Sequence, residues 1–159
     1  MDNNLLVKQN LSKISGGFLE KINLKAQSEE DCDVISALLQ DSISKVSGCS
    51  YIEDLKCFRV ILNRFCWEHS HKFEEEQCYH RVHSGLYIHN AKTIHVNDNF
   101  RKKTHHFYNL LAMHANGNEI NLIFSDHRHI YITVDGILVY LKDLHEHYPT
   151  LSRPEHNFV

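Results

Sequence analysis

Residues 107–134 read FYNLLAMHANGNEINLIFSDHRHIYITV. Asn116-Gly117 is the strongest short hairpin signal in the chain. Residues 107–115 read as the strand before it. Residues 119–125 return with Ile120, Leu122 and Phe124 on one face. A second turn at Asp126-His127-Arg128 leads into a strand with Ile130, Ile132 and Val134 inward. Three strands joined by hairpin-length links make an antiparallel sheet, because parallel neighbours need long crossovers.

The same pattern extends upstream. Residues 57–67 place Phe58, Val60 and Leu62 on one face and Ile61, Phe65 and Trp67 on the other, so this strand is expected to be covered on both sides. Residues 79–88 alternate, with Val82, Leu86 and Ile88 together. A turn at His89-Asn90 precedes a strand at 92–97, and a short mixed strand fills 46–52. The stretches 68–78 and 98–104 read as polar loops. Ser28 can cap a helix at about 29–42 whose first turn is acidic, which suits the positive end of the helix dipole. Its apolar stripe is Val34, Ile35, Leu38 and Leu39. Downstream, Asp135 reads as the cap of a second helix with the stripe Ile137, Leu138, Leu141, Leu144 and Tyr148, ended by Pro149.

The expected fold is therefore α+β. One amphipathic helix precedes a mainly antiparallel, seven-stranded curled sheet or barrel, and a C-terminal helix caps it, as in pleckstrin-homology-like barrels. The alternative is a flat or strongly bent antiparallel sheet with both helices on one face. The expected boundaries are a loosely ordered extension at 1–23, a single domain at 24–149 and an irregular tail at 150–159.

Composition narrows the function. The chain has 159 residues, 42% hydrophobic and 23% charged, which is ordinary for one folded domain. Its formal charge of −3 argues against nucleic-acid binding by bulk charge. There is no run of apolar residues long enough to span a membrane. The N-terminus lacks an apolar signal core. Five cysteines without a paired short spacing fit no disulfide framework and read as reduced, packed thiols. The expected compartment is the cytoplasm.

The segments ISALLQD at 35–41, LNRFCWE at 62–68, RVHSGL at 81–86 and NLLAMH at 109–114 are distinctive together. IFSD at 123–126, IYITVDGILVYLKDL at 130–144 and SRPEH at 152–156 complete the set. In this order they resemble an uncharacterised family mainly of alphaproteobacteria, domain of unknown function 2948. The resemblance spans roughly 24–156. It implies a cytoplasmic bacterial protein and carries over no activity. The extension at 1–23 and the histidine load depart from the family pattern.

All 14 histidines lie at or after His69, and protonating them all would take the formal charge from −3 to +11. A metal site needs several converging ligands. Of the close pairs, His127 and His129 flank a turn and could chelate loosely. His145 and His147, two apart in an expected helix, would point in different directions. No HExxH or zinc-module spacing occurs. Most histidines are expected to be solvated, and no metal or cofactor is assigned.

No nucleophile or phosphate-loop motif is present, so no catalytic residue is assigned. The strongest candidate binding set is Arg64, Trp67 and Glu68 with Arg81 and His83, on two strands expected to pair. Arginine and tryptophan are the residue types that carry binding energy at interfaces. The expected function is a non-enzymatic binding or protein-interaction module with an unidentified protein partner. No nucleic-acid or membrane partner is expected. The alternative is a small metal-dependent enzyme or hydrolase using the late histidines.

Overall fold

A computed structural model of the chain describes residues 19–69, 79–97 and 107–155. The expectations for 1–18, 70–78, 98–106 and 156–159 lie outside these residues. The described elements are β1 (Asn23–Ala26), α1 (Glu29–Leu39), β2 (Ser42–Ile52), β3 (Cys57–Phe65), β4 (Tyr79–Ile88) and β5 (Ala91–Val96). They continue with β6 (Phe107–Asn116), β7 (Glu119–Phe124), β8 (Arg128–Val134), β9 (Val139–Asp143) and β10 (Tyr148–Thr150). Short 3-10 turns at Glu53–Leu55 and Trp67–His69 bracket β3.

All strands join one antiparallel sheet in the order β1-β9-β4-β3-β2-β6-β7-β8-β5, with β10 also paired to β4. The α+β, antiparallel expectation is met. The expected count of seven strands is corrected to ten, because β1, β9 and β10 join β2 to β8. The sheet runs between two edge strands, β1 and β5, rather than closing into a barrel. A single core cluster gathers Ala26 from β1, Val60 from β3, Leu110 from β6, Ile132 from β8 and Leu141 from β9.

The expected C-terminal helix is corrected to a strand. Residues 139–143 alternate, with Val139, Leu141 and Asp143 buried and Lys142 exposed. They fill the slot between β4 and β1, so both edges of the segment are hydrogen-bonded by neighbours. Asp135-Gly136 is a chain reversal and not a cap. Gly136 sits at φ +91, and Asp135 N donates to Asn90 O at 2.8 Å. The helix-like stripe arose because five residues of period two are too few to outweigh the apolar residues flanking them.

The described helix therefore lies near the N-terminal end, between β1 and β2, not after the last strands. Ser28 Oγ accepts from Asp31 N at 3.1 Å, as a cap should. Cys32, Ile35 and Leu39 are buried, while Val34 is exposed. The helix stops at Leu39, short of the expected 42, because Asp41 turns at φ +60 and Ser42 starts β2. In the β6–β7 hairpin the two-residue turn is Gly117-Asn118, and Gly117 takes φ +60. Asn116 pairs with Glu119 across it. No helix among the described residues is long and apolar enough to cross a membrane.

Candidate functional site

The core-facing row of β3 runs Phe58, Val60, Leu62 and then Arg64. Strand parity thus sends a guanidinium into the core, where Arg64 is 0% exposed. An unpaired buried charge would be prohibitive, and two carboxylates answer it. Glu68, one turn past the strand, receives Nη1 and Nη2 at 2.8 Å each. Asp143, at the end of β9, receives Nη2 at 3.0 Å and Nε at 3.3 Å. Burial pulls the Arg64 pKa down, but its bonds and charge pairing with Glu68 and Asp143 outweigh this and hold it charged.

Asp143 is saturated from other sides. Ser84 Oγ on β4 donates to it at 2.7 Å, and Ile22 N at 2.8 Å. His147 follows four residues later, with Nε2 3.6 Å from Asp143 Oδ2. Its side chain is 2% exposed, and neither ring nitrogen has a hydrogen-bond partner among the described residues. His69 lies 6.1 Å from it between ring centres, and its Nδ1 is likewise unpartnered. Burial lowers the pKa of His147, His69 and His80. Mutual repulsion of their charged forms lowers those of His69 and His80 further. Three histidines from three segments therefore converge.

Cys66 completes the cluster. Its Sγ, a Glu68 carboxylate oxygen and a His147 ring nitrogen all lie within 4.8 Å of one another. Burial pushes its thiol pKa well up, so free Cys66 is a protonated, unreactive thiol. Cys32, Cys49, Cys57 and Cys66 are free thiols, as expected, and Cys78 lies outside the described residues.

The five residues singled out from sequence divide between two faces. Arg64 and Glu68 meet in the buried cluster. Trp67 is half-buried past the end of β3, with Nε1 donating to Gln40 O at 2.8 Å and its ring edge-on to Phe65 at 4.6 Å. Arg81 lies on the outer face over the Phe65 ring and donates to Asn63 O at 3.2 Å. His83 is exposed on that face, beside His145 and Tyr148. It borders an open groove of about 500 Å³ with Lys45, Ser47, Asn63 and Phe107.

The late pairs resolve differently from chelation. His127 is exposed at a turn with φ +57. His129 sits 3.3 Å from Asn121 Oδ1 and stacks on Tyr131. His145 and His147 do diverge, His145 to His83 and His147 to the cluster, although their segment is not helical.

Sequence reasoning missed Cys66, His69, His80, Ser84, Asp143 and His147 as a group. Parity on β3 was the one available signal, since it already pointed Arg64 inward. Comparison with curated proteins and with solved structures finds no match. The family model described as "Protein of unknown function (DUF2948)" matches residues 22–156, and the chain belongs to that family.

Proposed function

We propose that the chain is a non-enzymatic binding module whose binding centre is the buried cluster of Arg64, Cys66, Glu68, Asp143 and His147. One observation carries this reading. With the thiol and histidines neutral, one guanidinium faces two carboxylates, so the buried set keeps one negative charge in excess beside unpartnered His147 nitrogens. Each unsatisfied buried nitrogen costs about 1–3 kcal/mol. A cationic ligand would offset both deficits.

The geometry gives less support to the hydrolase alternative. Ser84 Oγ and His147 Nε2 both approach Asp143, so the aspartate stands between them. A serine nucleophile needs the histidine in that middle position. A reduced thiol within the centre suits the cytoplasm, where thiols stay reduced. The outer face with Trp67, Arg81 and His83 is the proposed surface for a protein partner.

A thermal-shift screen of the purified chain against mono- and divalent cations tests the reading. At least one cation should raise the melting temperature of the wild type and not that of Glu68→Gln. If none does so selectively, the reading fails.

A further inference from the structure

We propose that Cys66, Glu68 and His147 bind a single zinc-class divalent ion. This rests on the reading of the cluster as a binding centre, and it names the ligand. Thiolate, imidazole and carboxylate together are the donor set that zinc and its neighbours prefer over magnesium or calcium.

The spacing is close to what such a site needs. Bonds of about 2.0–2.3 Å in a tetrahedron put donor atoms about 3.3–3.8 Å apart. The three donors here lie within 4.8 Å, so they need to close by about 1.5 Å at most. The Trp67–His69 turn carries Glu68, and His147 follows β9, so both ligands sit just beyond strand ends. His69, with its unpartnered Nδ1, stands beside His147 at 6.1 Å between ring centres, outside the group of three close donors.

Charge balance points the same way. Cys66 binds as the thiolate and its proton leaves to solvent. Arg64, Glu68, Asp143 and that thiolate then sum to two negative charges, which a divalent ion neutralises. Glu68 can serve both neighbours, because a carboxylate has about four lone-pair directions and Arg64 uses two. Asp143 Oδ2, 3.6 Å from His147 Nε2, places a carboxylate charge beside the histidine, as is common around metal-bound histidines.

Cobalt(II) titration of the chelator-stripped full chain tests this. One equivalent should produce thiolate-to-cobalt charge-transfer absorption, and zinc should abolish it by displacement. Cys66→Ser should remove the band, while Cys49→Ser and His83→Ala should keep it. His147→Gln should weaken cobalt affinity by about tenfold or more. Circular dichroism confirms that each variant is folded. If Cys66→Ser does not fold, His147→Gln decides: a tenfold loss supports the site and unchanged affinity overturns it. Absence of the band, or a band that survives Cys66→Ser, also overturns it. If the band is absent but another cation stabilises the wild type and not Glu68→Gln, the zinc-class assignment falls and the binding-centre reading stands. If neither occurs, both fall.

Discussion

Arg64 and Asp143 form a buried ion pair across an intervening strand. They are 79 residues apart, on β3 and β9, and both side chains are 0% exposed. Between them runs β4, whose Ser84 lies directly opposite Asp143 in register and donates to it. The pair therefore locks three neighbouring strands on their core face. Its second carboxylate, Glu68, draws the turn after β3 into the same network.

Breaking this network should be costly. Removing one partner of a buried pair leaves a charge without compensation, at about 3–5 kcal/mol. Asp143→Ala should lose that much in urea unfolding, since Ser84 Oγ and Ile22 N lose their acceptor as well. Adding Arg64→Met to Asp143→Ala should recover part of the loss, because the orphaned guanidinium goes too. A loss from Asp143→Ala under about 1 kcal/mol, the range of surface pairs, would show that the network does not hold the fold.

Mild acid should destabilise the metal-free protein. Burial lowers the pKa of His69, His80 and His147 in the folded state. The unfolded chain, with histidines near 6.5, then binds protons first. Stability is complete above about pH 6.5 and is lost as the pH falls below it. Asp143 and Glu68 oppose the shift at His147, and Arg64 reinforces it. The urea midpoint should be lower at about pH 5.5 than at about pH 7.5, and His69→Gln with His147→Gln should flatten the difference. A midpoint that rises on acidification would contradict the burial argument.

The hairpins were legible because period and turn chemistry agreed. Ile120, Leu122, Phe124, Ile130, Ile132 and Val134 are all buried as their alternation requires. β9 was not legible. Its inward residues are Val139, Leu141 and Asp143, and an acidic residue on a core face breaks the apolar period. The same obstacle hid the site. Arg64 sits at an inward position that its charge argues against, and the Asp143 carboxylate that resolves the conflict lies six strands later in the chain. His69, His80 and His147 share no sequence spacing, and the pairings of Phe65 on β3 and Tyr148 on β10 with Arg81 on β4 bring their segments together.

The bulge in β2 should depend on a glycine. The register with β3 jumps between Ser44 and Cys49, and Gly48 lies within the jump. A Cβ at Gly48 would come 2.8 Å from Ile61 O and 3.2 Å from Lys45 O, both of them backbone. Backbone in a paired strand moves little, so Gly48→Ala should cost about 1–3 kcal/mol, the usual range for overpacking. Gly85 makes the contrast. The atoms nearest its Cβ would belong to the Tyr87 phenol, a half-exposed side chain that can swing away. Thermal unfolding should rank Gly48→Ala below Gly85→Ala, and the opposite ranking would refute the backbone explanation.

Trp67 should act as a structural clamp, separable from any partner binding. Its indole N–H bonds Gln40 O, the C-cap residue of α1, and its ring packs against Phe65. It thereby ties the end of the helix to the end of β3, next to the turn that carries Glu68. Trp67→Phe keeps an aromatic ring against Phe65 but leaves the Gln40 carbonyl without this donor. The expected cost is about 1 kcal/mol, that of one hydrogen bond. Trp67→Ala also removes the ring and should cost about 3–5 kcal/mol if the site behaves as core. The two losses, read from urea unfolding, separate the clamp from a surface role. A purely surface tryptophan would leave both variants within about 0.5 kcal/mol of the wild type. A protein partner that is lost with Trp67→Phe, at unchanged stability, would assign the indole to binding instead.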